Sequence, residues 1–175
     1  EETAFLLLQG YLPDRAQPRV FYNLISECQA LPDSFIEDII MKVASPNIMN
    51  MLARSVLALY TYDPRPEDTS LENVMRQSIE LIARMPAIMA AAYQVKRRIY
   101  DGKSMYLHNP KSENSTAQNI LRMLRSDKTF TEDEAKLLDL CLTLHSEHGG
   151  GNNSTFAVRV LSSSKTDTYS AISAG

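Results

Sequence analysis

The sequence predicts an all-α, multi-helical protein of roughly eight to ten helices. Three observations carry that expectation. Apolar residues recur at the helical spacing of about 3.6 in nearly every segment. Ser, Thr, Asp and Pro stand where helices would start, and Gly where they would end. No strand pattern alternates with the helical ones, which argues against Rossmann and TIM arrangements. The 175 residues, 44% of them hydrophobic, suit one domain, or one large piece of a bigger one, with a sizeable core.

ETAFLLLQG reads as a short apolar helix ended by Gly10. YLPDRAQPRVFYNLISECQA takes Asp14 as its cap and places Val20, Phe21, Leu24, Ile25 and Cys28 on one face. Pro32 and Asp33 start SFIEDIIMKVAS, where Phe35, Ile36, Ile39, Ile40 and Val43 follow the helical period. Pro46, whose missing N–H costs nothing in a first turn, opens a helix. Its broad apolar face is Met49, Leu52, Ala53, Val56, Leu57 and Tyr60. The two prolines of DPRPEDTS make a turn, and Ser70 caps the long segment LENVMRQSIELIARMPAIMAAAYQVKRRIYDG. Pro86 lies in the middle of that segment, so a kink or a break near Met85 is expected. GKSMYLHNPKSENS, from Gly102, has no period and reads as a connector rather than a working loop. Ser115 caps TAQNILRMLR, and Thr131 with Glu134 makes a capping box for EDEAKLLDLCLTLHSE. The tail, NSTFAVRVLSSS and DTYSAISAG, fits helices capped by Asn153 or Asp167, with two short strands as the alternative.

Eighteen basic residues stand against 21 acidic ones, and the net charge of −3 comes with no basic block, so nucleic acid is not an expected partner. The densest basic spot, KRR at 96–98, reads as the solvated C-terminal end of a helix. Cys28 and Cys141 sit far apart in apolar helical patterns and read as buried free thiols of a reducing, cytoplasmic compartment. No stretch reaches the roughly 18 apolar residues that span a bilayer, so no membrane association is expected. The opening EETAFLLLQG has no Met, no basic start and no cleavage site, which reads as a processed or internal piece without a signal peptide.

The residues that carry chemistry gather in LHSEHGGGNNSTF, 144–156. His145 and His148, three apart on a last helical turn, would share one face. Gly149, Gly150 and Gly151 stop that helix and let the backbone approach a ligand closely. Asn152, Asn153 and Ser154 are all good caps for the next helix. The negative end of the first helix favours protonated imidazole, and the free N–H groups of the second favour carboxylate or phosphate. A small polyanion such as a keto acid fits this pattern, and polarised donors of this kind also stabilise a developing oxyanion. Two other readings stay open. The histidines could bind metal, but zinc needs a third ligand, and of the nearest carboxylates, Glu147 and Asp139, Glu147 is on a different face. They could also form a plain helix cap, for which one glycine would suffice.

From Leu144 onward, LHSEHGGGNNSTFAVRVLSSSKTDTYSAISAG closely resembles the citrate synthase segment H-S-[DE]-H-x-x-x-N-x-S, a Ser/Thr-rich helix and [SD]xYSAIxAG. EETAFLLLQGYLP resembles the family's ETxYLLLxGxLP. IARMPAIMAAAYQVKRR resembles its IAKxPxIxAxxYR helix, proline included, and NSTAQNILRML the segment in which xxNFLxML recurs. The resemblance runs through nearly the whole chain in one order, without large gaps.

That resemblance implies an acyltransferase that joins acetyl-CoA to oxaloacetate by a Claisen condensation and hydrolyses citryl-CoA to citrate and CoA, a step of the tricarboxylic acid cycle. It implies acetyl-CoA as co-substrate, no prosthetic group, no metal, and a homodimer of the full-length protein. By position, His148 falls on an oxaloacetate-binding histidine of catalytic importance, and His145 on the preceding motif histidine, with a supporting place at the substrate. Asn152 falls beside the substrate, and Ser154 on the serine that positions an enol-assisting histidine or a water. No residue is assigned to coenzyme A. Residues 1–175 would then be part of the helical large domain, with the small domain and the C-terminal half absent. In the family the GPLHGGAN-like segment, the carbonyl-polarising histidine, the catalytic aspartate and several substrate-binding arginines lie downstream, so this chain alone is expected to be inactive. His108, in YLHNP, matches none of these, and Ser45 stands where the family commonly has His before Pro46. The helices around 46–62 and 70–100 match the family's helical interface, and their apolar faces fit a core equally well. The close alternative is a 2-methylcitrate synthase using propionyl-CoA. From another class, the alternative is a non-catalytic helical module, regulatory or metal-binding.

Overall fold

The computed structural model describes residues 1–14, 17–147 and 149–175. Among these residues there are eight α-helices and no strand. They are α1 (Glu2–Gln9), α2 (Gln17–Glu27), α3 (Ile48–Leu59), α4 (Leu71–Tyr100), α5 (Thr116–Leu124), α6 (Glu132–His145), α7 (Asn153–Ser163) and α8 (Thr168–Ala174). The tail is therefore helical, and the strand alternative falls. Around α4 pack α2, α3 and α5, while α8 lies between α3 and α7.

Local chemistry sets most helix ends where the sequence puts them. Gly10 ends α1 at φ +81, its N–H donating to the Leu6 carbonyl at 2.8 Å. Ser70, Ser115, Thr131 and Asp167 cap α4, α5, α6 and α8, with full capping boxes at Ser115 and Thr131. Thr131→Ala is expected to cost about 1 kcal/mol, read as a lower midpoint in thermal unfolding, because α6 loses its first-turn acceptor.

Other starts differ. Residues 15 and 16, between Asp14 and the first described residue of α2, lie outside the described residues, so the expected Asp14 cap falls outside them too. Asn47, not Pro46, begins α3: its side chain accepts from Asn50 N at 3.0 Å, and the proline stands just outside the helix. Between α2 and α3 the chain makes one π-helical turn, Ile36–Met41, in which Lys42 N–H bonds back five residues to the Glu37 carbonyl at 3.2 Å. The wider turn sends Phe35 and Ile40, five apart and each 1% exposed, into the core and leaves Val43 at the surface.

The buried faces are also rotated from the expected ones. On α2, Phe21 and Ile25 are buried, Cys28 is half-buried, and Val20 and Leu24 face solvent. On α3, Met51, Ser55, Val56 and Leu59 are buried while Met49 and Leu57 are exposed. Periodicity gives the existence of a face, but its direction depends on which neighbours arrive, here α4 and α8.

Helix α4 runs through Pro86 without interruption, so no break occurs at Met85. Proline inside a helix costs about 3 kcal/mol, but apolar residues on both sides of it, Leu81, Ala83, Ile88, Ala91 and Val95, are buried and outweigh that loss. The main core gathers Phe35, Ile40, Met51, Leu59, Ile88 and Tyr169, and a second cluster joins α1, α2 and α4 through Phe5, Phe21, Ile25 and Ile79. The basic end of α4 is solvated as expected: Lys96 pairs with Asp101 at 2.7 Å and Arg97 lies over the Tyr93 ring.

Buried amides hold the connections. Gln94 donates to the Leu124 carbonyl at 2.9 Å and accepts from Tyr106 N at 3.3 Å, while Asn119 accepts from Lys111 N and donates to its carbonyl. These bonds fix the segment after Gly102 as a packed connector. The 63–70 turn is fixed by Asp63, whose carboxylate receives Arg76 at 2.7 Å, Gln77 at 2.8 Å, Tyr169 at 2.7 Å and the Arg65 N–H at 2.8 Å. Burial alone would raise the Asp63 pKa, but these donors overcome it and bring it down to about 2. Burial first, then the bond to Asp63, pushes the Tyr169 hydroxyl well up. The bond from Tyr169 to Asp63 crosses 106 residues of sequence and anchors α8.

Cys141 is exposed, against the expectation of a buried thiol, whereas burial pushes the half-buried Cys28 thiol up. Both cysteines are free.

Candidate functional site: the glycine corner between α6 and α7

The last helical residue of α6 is His145. Ser146 closes the helix, its N–H and hydroxyl both donating to the Thr143 carbonyl, at 3.3 and 2.7 Å. Glu147 accepts from the Gly149 N–H. These side chains satisfy local backbone groups and release the chain early. The expected i, i+3 pairing of His145 and His148 involves His148, which lies outside the described residues. His145 is exposed, with Nδ1 2.8 Å from the Cys141 carbonyl. A carbonyl only accepts, so Nδ1 carries the proton and Nε2 is the nitrogen left for other work.

Gly149 sits at φ +101, where the left-handed backbone favours glycine. The Asn152 N–H donates to the Gly149 carbonyl at 3.1 Å and closes the turn. Asn152, rather than Asn153, is the cap of α7: its side-chain oxygen accepts from Ser154 N at 2.8 Å and Thr155 N at 3.2 Å. Two of the N–H groups that the sequence offered to an anion are thus already satisfied by Asn152. Ser154 lies exposed in the first turn of α7.

The C-terminal end of α8 closes on that same turn. A Cβ on Gly175 would come within 2.6 Å of Val158 Cγ2 and 3.2 Å of the Ser154 carbonyl oxygen, so only glycine permits this approach. Ser173 ties α8 to the Ala53 carbonyl at 2.8 Å. The helix carrying Asn152 and Ser154 is therefore fixed through α8, and through Tyr169 to Asp63.

Two groups that shape the surroundings of the corner are not visible in the sequence motif. Arg159 lays its guanidinium across Gly150, with Nη1 and Nη2 each 3.5 Å from the Cβ position of that glycine. Its signal was available: seven residues after Asn152, it returns to the same helical face. Asp63 had no short-range signal, since Tyr169 reaches it only through the fold.

The corner shares no residue with a cavity of about 560 Å³ lined by Phe35, Ala91, Tyr106, His108 and Met123. His108 thus belongs to a different part of the molecule, stacked on Tyr106. Among the described residues no group of three His, Cys, Asp or Glu gathers as a metal site. Their helices also include none long and apolar enough to cross a membrane.

Compared with solved structures, this helical arrangement matches the crystal structure of citrate synthase from Pyrobaculum aerophilum, with a TM-score of 0.84 and 25% identity, over 99% of this chain and 43% of that one. The family profile described as citrate synthase, C-terminal domain, matches residues 1–175. The chain belongs to the citrate synthase family. Among curated relatives, the citrate/2-methylcitrate synthase of Bacillus subtilis is 31% identical, over 98% of this chain and 44% of its own length. The 2-methylcitrate synthase 1 of Corynebacterium glutamicum is 30% identical, again over 98% of this chain and 44% of its own. The chain thus spans less than half the length of these relatives.

Proposed function

We propose that this chain is part of a citrate synthase-type acyltransferase and that the 144–156 corner is one wall of its oxaloacetate site. One observation carries the reading: in a chain that matches the family from end to end, the H-S-E-H…N-x-S order falls where one helix ends and the next begins. In this reading His148 binds oxaloacetate and takes part in catalysis, and His145, oriented by the Cys141 carbonyl, supports it. Asn152 acts beside the substrate mainly by shaping the start of α7, and Ser154 positions the partner group or a water. Acetyl-CoA is the co-substrate. The working protein is a cytoplasmic homodimer in this reading, for which the exposed Met49 and Leu57 of α3 are available surface.

The second reading, a 2-methylcitrate synthase using propionyl-CoA, is favoured by the names of two relatives at about the same identity as the others. Competition between the two thioesters, followed by product analysis, separates the readings.

Titration of the 175-residue chain with millimolar oxaloacetate in a calorimeter is expected to give heat that His148→Ala removes. Asn152→Ala is expected to weaken binding and to lower stability by about 1 kcal/mol through loss of the cap. Absence of heat from the unsubstituted chain would sink the proposal that this corner binds the keto acid.

A further inference from the structure

We infer that the cavity of about 560 Å³ beside α4 binds a small organic cation with a flat, apolar body. The cavity shares no residue with the glycine corner, so this site is independent of the oxaloacetate reading. Its volume is that of a small-molecule pocket. The apolar part of its wall is Phe35, Ala90, Ala91 and Met123, all buried. The charged part carries one sign only. Glu27, Asp33 and Glu37 line it, all exposed, and none makes an ion pair with a described residue. None of the lining residues is Lys or Arg. Two basic groups adjoin the cavity, and both are already paired: Arg84, bonded to the Ala30 carbonyl, with Glu80, and Lys111 with Glu113. Carboxylates gathered round a hollow attract a cation and repel an anion.

Three carboxylates alone would be a solvated face. Two further features point to a ligand. His108 stands in the same wall, and its Nε2 is buried with no hydrogen-bond partner among the described residues. A neutral imidazole offers a lone pair there that a ligand N–H can meet. Tyr106, also in the wall, stacks on the His108 ring with centroids 6.4 Å apart and is itself 38% exposed. Ring surface is therefore left open for a second ring or a cation.

The 175-residue chain contains no Trp, so an indole ligand can be followed by its own fluorescence. Tryptamine, an indole with a short ammonium arm, is the probe. Indole-3-propionate, the same shape with a carboxylate, is the control. In fluorescence anisotropy at low salt, tryptamine is expected to bind with a Kd of roughly 0.1–1 mM, and the control about tenfold more weakly. Tryptamine should also shift the ring signals of His108, and not those of His145, in the NMR spectrum. Glu27→Gln, Asp33→Asn and Glu37→Gln together should weaken tryptamine roughly tenfold while the unfolding midpoint stays unchanged. High salt should weaken it without any substitution. His108→Phe, which keeps a ring on Tyr106 and removes the nitrogen, should weaken it roughly fivefold. Equal binding of the two indoles overturns the cation assignment. Tryptamine binding that survives the triple substitution, or that leaves the His108 signals in place, overturns the site. No binding of tryptamine at millimolar concentration overturns the inference as a whole and leaves the oxaloacetate reading standing.

Discussion

Asp63→Ala is expected to destabilise the protein by about 3–5 kcal/mol in urea unfolding, the cost of breaking a buried, hydrogen-bonded ion pair from one side. The Asp63 side chain is 1% exposed and accepts from four groups on three parts of the chain, Arg65, α4 and α8. Alanine would strand the buried Tyr169 hydroxyl and one side of Arg76, and would take from the buried Gln77 amide its shortest acceptor, leaving it only the Arg65 and Pro66 carbonyls at 3.3 and 3.4 Å. Near-native stability of Asp63→Ala would mean that α8 is held by apolar packing alone.

The same group sets an acid dependence. Its folded pKa of about 2 lies below the ordinary value of 3.8, so its contribution is complete above about pH 4 and disappears as pH falls through about 2. The gap corresponds to about 2 kcal/mol. Glu134, held to about 2 by Arg125 and the Thr131 N–H, titrates over the same window from an exposed position. Asp63→Ala should therefore flatten the loss of stability between pH 4 and 2 without abolishing it, as read by urea unfolding across that range.

The second large effect is on assembly. Purified at high concentration, the 175-residue chain is expected to self-associate, and Leu137→Glu with Leu144→Glu should return it to a monodisperse state in light scattering. Beyond Ala135, α6 crosses the surface with Leu137 63% and Leu144 67% exposed, and Leu140 also open. Covering a leucine fully is worth about 1.5–3 kcal/mol, so several on one helix favour association strongly. A helix apolar on several faces is built to be covered. A monodisperse unsubstituted chain would contradict this expectation.

Much of the candidate site was legible because it rests on local chemistry. Glycine at φ +101, a capping asparagine and a capping box at the start of α6 are decided within a few residues, and the sequence states them directly. Where local rules competed, the reading slipped by a residue: Asn152 took the cap expected of Asn153, and Asn47 the start expected at Pro46.

By itself, then, the sequence determined that the described residues are all-helical, where most of the helices begin and end, and which thirteen-residue stretch carries the family's motif. Those features follow from backbone sterics, capping and periodicity, which act over a turn or two. Only the tertiary structure decided that α4 continues through Pro86, which faces of α2 and α3 are buried, that Tyr169 reaches Asp63, and that Arg159 covers Gly150. Each of these depends on which surfaces meet. Burial and long-range hydrogen bonds there outweigh the local preferences that a sequence can express.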